Sequence, residues 1–405
     1  MTLRQALDLA LQQSPDVVLA RLDQQKARYQ VTIAHDPFSP KVIAGSGAAY
    51  TYGFPTSIDG NAPSLLETKT SMALFDRPQS YAVAQAKENL RGAEIDIASR
   101  QEAVAFQVAS LFLDAEYASR SYAAAKREMD TLTHVRDLVD ARVQEGREIS
   151  FELDKAKFAI QKARQRVNAL GDDVTNAETS LALALGLTAA DRVHPAEEER
   201  SALETPASEE AAIEAVLEHS PELKRLESNL QAKTLEIKSY KAQRLPRVDL
   251  VAQYSLLAGY NRFQQYFTSF QHNNFELGAS FQIPVLAGHA SQAYVSQGQV
   301  DVAKLRAEVG QTRGRLETNL RRAFQDLRRA DEGRELARTD LDLARHQIDL
   351  DLAQVDEGKL PQAKLEQDRA TEDEKWMAYY QSQTTAERAR LSVLRLSGTL
   401  LTAVK

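Results

Sequence analysis

Histidine, carboxylate, lysine and serine are the side chains with which this chain would have to do chemistry, because it has no cysteine. That absence removes disulfides, thiolate nucleophiles and thiolate metal sites together, excludes a lipid-modified N-terminal cysteine on this chain, and leaves the redox compartment undecided. The seven histidines are scattered, at positions such as His35, His134, His194 and His346. None belongs to an HExxH pair, which would hold zinc on one helix face beside a general base. No glycine-rich loop runs into a lysine and serine that would cradle phosphates. Carboxylates are abundant, but without a pocket-forming fold they read as helix-surface charges. The expectation is a protein that is not an enzyme and carries neither cofactor nor metal.

Bulk composition narrows the partners. Fifty Lys and Arg against 57 Asp and Glu leave a net charge of −7, spread along the chain, so no basic groove for nucleic acid is expected. With 43% apolar residues the chain can build cores. Its opening, "MTLRQALDLALQQSPDVV", lacks the basic start, apolar run and small-residue cleavage site of a secretory signal. Either the protein is cytosolic or an export signal has been removed from it. No stretch approaches the roughly 18 apolar residues of a spanning helix. A membrane β-barrel, with short alternating strands, would leave no such trace.

The elements that must position these residues come in duplicate. "QQSPDVVLARLDQQKA" at Gln12 to Ala27 resembles "EHSPELKRLESNLQAK" at Glu218 to Lys233, and Ser14-Pro15 returns 206 residues on as Ser220-Pro221. Pro40-Lys41-Val42 and Pro246-Arg247-Val248 keep that offset, whereas Phe112 and Phe324, Gly146 and Gly358, and Gly186 and Gly398 lie 212 apart. A single six-residue insertion between Val248 and Phe324 accounts for both registers.

Each copy opens with a helical segment, expected at about Leu3 to Ala34 and Glu209 to Ala242, that ends at a proline-marked break. Strand-like stretches follow: "KVIAGSGAAYTYGF" and "LETKTSMALF", then "RVDLVAQYSLLAGY" and "NFELGASFQI". Phe275, Leu277, Ala279, Phe281 and Ile283 alternate with polar or small residues, the period of a sheet with one apolar face. Each copy thus offers one hairpin. From Gln79 to Glu145 there are then 67 residues without proline, and His289 to Glu357 repeats the pattern. A helix of that length is about 100 Å long and must pack lengthwise on partners, as coiled coils do. Gly146 and Gly358 are placed to cap these helices in the left-handed conformation, with returning helices from about Ser150 to Leu185 and Gln362 to Leu396. Four strands cannot close a barrel, since membrane barrels begin at about eight; three chains would supply twelve.

The order helix, hairpin, very long helix, glycine turn and returning helix, given twice, resembles the TolC-like outer-membrane efflux channel family (outer membrane efflux proteins) over nearly all of the chain. The residues that carry the resemblance include "SPDVVLA" and "SPELKRL" near the start of each repeat, "LFD" at Leu74 to Asp76 and "IPVLAG" at Ile283 to Gly288. The family's tip pattern is met by Gly146, Ser150, Leu153 and Asp154, and more loosely by Gly358, Leu365 and Glu366. Arg77 and Pro78 stand where the family often has glycines, and Ala287 where it has aspartate.

The resemblance implies a mainly α fold with β-hairpins. Long antiparallel coiled-coil helices in two tandem repeats would form a trimeric α-helical barrel topped by a 12-stranded membrane β-barrel. The first repeat would span residues 1–186, a linker or equatorial segment 187–207, and the second repeat 208–405. The homotrimer would sit in lipid of the bacterial outer membrane with a periplasmic extension, as the passive conduit of a tripartite efflux or type I secretion system. Its partners would be a periplasmic adaptor, or membrane fusion, protein and an inner-membrane pump. Gly146, Ser150, Leu153, Gly358 and Leu365 would meet the adaptor, and Arg147, Asp154, Lys359 and Glu366 are the candidate gate charges. Tyr81 and Tyr294 would lie in an interfacial aromatic belt or be buried. A soluble, elongated coiled-coil scaffold is the alternative; it explains the long helices but not the paired hairpins. A periplasmic adaptor would show one helical hairpin among β domains.

Overall fold

A computed structural model of the chain describes residues 1–47, 64–196, 203–206, 208–257, 273–285 and 289–404. The hairpin loops, part of the linker and Ala287 lie outside the described residues. In chain order the elements are α1 (Leu3–Gln13), α2 (Pro15–His35), β1 (Lys41–Gly45), β2 (Ser64–Phe75), α3 (Arg77–Gln144), α4 (Ser150–Ala184), α5 (Glu209–His219), α6 (Pro221–Ala242), β3 (Arg247–Leu257), β4 (Asn273–Gln282), α7 (His289–Asp356), α8 (Gln362–Ser397) and α9 (Leu400–Val404). The doubled order of helix, hairpin, long helix and returning helix is as expected, and α3 and α7 are each 68 residues long.

One expectation is corrected. The opening segment of each repeat is two helices, not one, broken at Ser14-Pro15 and Ser220-Pro221. A proline ring excludes the helical conformation from the residue before it. Ser14 and Ser220 accordingly take ψ 129° and 125°. Each serine N–H still closes the preceding helix, donating to the Ala10 or Val216 carbonyl, while Pro15 and Pro221 sit at first-turn positions that need no N–H. Apolar periodicity runs through both breaks, so local chemistry overrides it.

Two compact units share this chain. One comprises Met1–Arg21, Asp96–Leu223 and Gln311–Lys405, the other Leu22–Ile95 and Lys224–Gly310, so each draws on both repeats. In the first unit the main core gathers α3, α1, α4, α8 and α9. Val104, Val108 and Phe112, four residues apart on one face of α3, meet Leu3, Leu7, Leu181, Leu185, Leu391, Leu394 and Leu400. Phe324, the repeat-related partner of Phe112, centres a second cluster with Val216, Leu320 and Val393. Alanine fills much of the contact surface, including Ala105, Ala109, Ala124, Ala125 and Ala182. Short side chains let helix axes approach at the near end of the usual 8–10 Å.

The second unit holds the sheet and four helical segments. Ser228 Oγ and Ser239 Oγ of α6 donate to the Glu88 and Pro78 carbonyls of α3, at 2.8 and 2.9 Å. Lys233 of α6 reaches Asp301 of α7 at 3.4 Å, and Gln24 of α2 reaches Glu94 of α3 at 3.4 Å. These contacts set the order α2–α3–α6–α7.

Four glycines with φ between 69° and 84° end helices: Gly146, Gly186, Gly358 and Gly398. All four make the Schellman pair of hydrogen bonds, as when Gly146 N–H donates to Val143 O and Arg147 N–H to Arg142 O. A Cβ on Gly146 would meet open space, whereas one on Gly186 would lie 2.9 Å from the Gln13 carbonyl oxygen. Gly146→Ala should therefore cost about 1–2 kcal/mol of left-handed strain. Gly186→Ala should cost more, because backbone must also move. Thermal unfolding of the two variants in detergent checks the order; equal shifts would mean that the Gln13 backbone yields freely.

Candidate functional site

The sheet is where this chain meets its solvent unconventionally. The strands pair antiparallel in the order β1-β2-β3-β4. Residues paired across an antiparallel ladder share a face, so the register sorts the sheet. Pairs such as Val42–Thr70, Met72–Leu250, Val248–Phe281, Ala252–Leu277 and Tyr254–Phe275 build one face that is apolar almost throughout. Its partner face carries Glu67, Lys69, Ser71, Asp249, Gln253, Ser255, Asn274, Glu276 and Ser280, interrupted by Ile43 and Val251. The apolar face is uncovered: Val42, Phe275, Leu277 and Phe281 are 66–70% exposed. Among the described residues β1 and β4 each have one unpaired edge. In water such a sheet would aggregate.

The helical turns that join α3 to α4 and α7 to α8 repeat one another closely. Arg147 pairs with Glu145 across Gly146 at 3.2 Å, and Lys359 with Glu357 across Gly358 at 2.6 Å, all four side chains more than half exposed. Ser150 is the first residue of α4, after Ile149 at the cap. Leu153 is half-buried and Asp154 is exposed, with no ion pair among the described residues. In the second turn Leu365 and Glu366 are buried, and Glu366 accepts from Arg369 at 3.0 Å. The structure thus brings Arg147 and Lys359 to equivalent solvent-facing places but separates the two acids: one faces outward, the other inward. Tyr294 stacks on Tyr240 at 5.1 Å and is 49% exposed; Tyr81 is half-buried.

A charged layer that sequence reasoning did not single out lies about 25 Å up the helices from these turns. Arg127 of α3 reaches Asp373 of α8 at 3.4 Å, and Arg166 of α4 reaches Glu128 of α3 at 3.4 Å and Glu374 of α8 at 3.8 Å. Arg345 of α7 stacks over Trp376 of α8, and Arg120 of α3 over Tyr380. Lys375 of α8 meets Asp340 of α7 at 2.7 Å. In this unit α4 therefore meets α3, α3 meets α8 and α8 meets α7, and Arg166 brings α4 to α8 as well. Burial holds the carboxyls of Glu128 and Asp373 above their ordinary values of 4.5 and 3.8, against the opposing pull of Arg166 and Arg127. The only sequence signal for the layer was charge at positions that also carry apolar heptads, which is common on solvated faces.

A sheet with one apolar face and open edges, carried on paired helices of 68 residues, defines a channel protomer of the TolC-like fold. The chain belongs to the outer membrane efflux protein family, whose model matches residues 6–187 and again 212–399. This is a family of bacterial outer-membrane channels, not of enzymes. The Campylobacter jejuni CmeC outer membrane channel shares the fold at TM-score 0.78 and 14% identity, over 98% of this chain and 86% of that one. The outer membrane protein VceC of Vibrio cholerae does so at TM-score 0.77 and 14% identity, over 98% and 96%. The chain is also 23% identical, over 291 residues, to the pyoverdine export outer membrane protein OpmQ of Pseudomonas aeruginosa. That match takes in 69% of this chain and 60% of OpmQ.

The raised carboxyls carry a sign. Between its ordinary and raised values the folded chain binds more protons than the unfolded one, so these groups' contribution to stability is full below the ordinary value and is lost as pH rises through the raised one. Glu128→Gln mimics the protonated form. Its melting temperature relative to the parent should accordingly be higher at pH 7 than at pH 4; the reverse order would mean that the Arg166 pair outweighs burial.

Proposed function

We propose that this chain is the outer-membrane channel of a tripartite efflux or type I secretion system. In this reading it is a homotrimer whose three four-stranded sheets close one twelve-stranded barrel. The observation that carries the reading is the sheet itself. Its open edges call for more strands, its apolar face calls for lipid, and its polar face suits a water-filled lumen. A soluble scaffold would leave that uncovered face unexplained. The long helices of three chains then form a tunnel through the periplasm. The turns around Gly146 and Gly358 meet a periplasmic adaptor that links the channel to an inner-membrane pump. Ser150, Leu153 and Leu365 stand beside that contact. The channel does no chemistry; energy and substrate choice belong to the pump.

Gating falls to the charges at the turns. Three-fold symmetry turns the exposed Asp154 into a ring of three carboxylates at the periplasmic mouth, and Arg147 and Lys359 into rings of opposite sign. Glu366 acts differently: it is buried, and its ion pair, with the partly exposed Arg369, lies within the first turns of the returning helix itself. In planar bilayers Asp154→Asn should lower cation over anion preference by about twofold, and Glu366→Gln should raise the open fraction by loosening the turn. Unchanged single-channel currents in both variants would remove these residues from the gate. The assembly itself is tested by the detergent-corrected mass of the protein extracted from outer membranes, which should equal three copies of the 45.0-kDa chain.

A further inference from the structure

The end of α6 gathers positive charge at the joint between sheet and helices. Lys238, Lys241 and Arg244 are exposed, as is Arg77 at the start of α3, and none of the four has an ion-pair partner among the described residues. The acids of the joint are already engaged: Asp36 pairs with Lys41, Asp76 and Asp249 with Arg247, and Glu236 with Lys233. Four elements converge there. Ser239 of α6 donates to the Pro78 carbonyl of α3, Ser291 of α7 donates to the Tyr240 carbonyl, and Arg247 opens β3. A cation in the last turn of a helix complements its dipole, which accounts for one such charge. It does not account for three, since the first repeat has Thr32, His35 and Phe38 at the same places, 206 residues earlier.

Two observations select what meets this patch. The first is direction. α6 touches α3 through Ser228 and Ser239, and α7 through Lys233 and through Ile237, which lies against Gly298. At about 100° per residue those two contact lines lie about 150° apart on one side of α6 and about 210° on the other. Lys238 and Lys241 fall within the wider arc, and a closed ring of helices turns its wider arcs outward. α6 is also interior to the order α2–α3–α6–α7, so a neighbouring copy, which meets an edge helix, leaves this face free. The second observation is continuity. Ile283 and Val285 extend the alternation of Phe281 beyond β4 at 65 and 90% exposure, and Leu245, two residues before β3, is 45% exposed. The apolar face of the sheet thus runs down to the basic patch.

We propose that Lys238, Lys241 and Arg244 bind the phosphate of an anionic glycerophospholipid, with Leu245 and Ile283 against its glycerol and upper acyl chains. This rests on the trimeric channel reading and gives its lipid boundary a chemistry. Helices join the sheet at the starts of β1 and β3 and the ends of β2 and β4, so the leaflet concerned is the one on the periplasmic side. Phosphate oxygens accept from ammonium and guanidinium groups, and clustered Lys and Arg beside a membrane select anionic lipid over zwitterionic.

Native mass spectrometry of the detergent-extracted particle, equilibrated with micelles holding equal phosphatidylglycerol and phosphatidylethanolamine, tests the patch. The parent should keep several-fold more phosphatidylglycerol. Lys238→Gln/Lys241→Gln/Arg244→Gln should erase that excess, and Lys238→Arg/Lys241→Arg/Arg244→Lys, which keeps the charge, should retain it. Lys224→Gln/Lys304→Gln/Arg306→Gln, the same loss of charge about 20 Å along the helices, should retain it too. A three-chain particle that shows no preference, or whose preference survives the glutamines, overturns the patch and leaves the channel standing. A one-chain particle overturns both. An excess that inorganic phosphate abolishes marks a free-anion site and overturns the lipid assignment. Should the triple glutamine variant not assemble, Lys241→Gln alone is read instead: a lower excess is expected, and an unchanged one overturns the patch.

Discussion

A backbone N–H or C=O left unpaired in hydrocarbon costs several kcal/mol, and water is not there to repay it. That constraint governs this chain more than any side-chain interaction. Four strands satisfy their inner ladders and leave two outer rows of polar groups open, so the sheet is incomplete in the one medium that suits its apolar face. The helices can be read as the apparatus that brings further sheets to those edges in the right register. The helices are long and continuous, 68 residues each in α3 and α7, and a joint made over many heptads fixes register.

Within the helical part, two kinds of contact divide the labour. Alanine-lined seams around Ala105, Ala109, Ala124 and Ala125 allow close approach but specify little, since one alanine fits another at several registers. Register comes from the charges and aromatics set into those seams: Arg127 on Asp373, Arg166 on Glu128, and Arg120 over Tyr380. Partial burial makes these pairs poor sources of stability, because desolvation takes back what attraction provides. It makes them good markers of alignment, since slipping a helix by one residue strands a shielded charge. The raised carboxyls of Glu128 and Asp373 are the trace of that compromise.

Much of this plan was legible in the amino-acid order, for identifiable reasons. Gly146 and Gly358 could be read as left-handed caps because two copies of one pattern named the same position twice. The sheet's apolar face was visible in Phe275, Leu277, Ala279 and Phe281, since strand periodicity needs no tertiary information. The helix break at Ser14-Pro15 has a local signal in the proline itself, but the apolar periodicity that continues across it reads as one helix. Other features were out of reach on physical grounds. Asp154 and Glu366 look alike in sequence, yet one is exposed and the other buried, because neighbours decide burial. The exposed leucines of α7 share a heptad period with the buried Leu341 and Ile348, so periodicity alone could not say which row faces outward.

Duplication followed by divergence explains why the two edges differ. A chain made of two identical repeats would have the same joint inside and outside, and nothing would decide whether a given edge met its own repeat, a neighbour, or an endless series of neighbours. Here the joint between α3 and α8 within the chain has small buried residues, Ala124 and Ala370, and is held in any case by covalent connection. The outer faces of α7, with Leu336, Leu343 and Leu350, and of α4, with Phe151 and Phe158, carry large exposed apolar residues instead. Contact between two unlike edges is head-to-tail. Such contact generates a ring when its rotation closes and a filament when it does not. The covalent closure of each sheet to its own helices restricts that rotation. The membrane's demand for paired strand edges then selects the ring, which returns the argument to the unpaired backbone with which the fold begins.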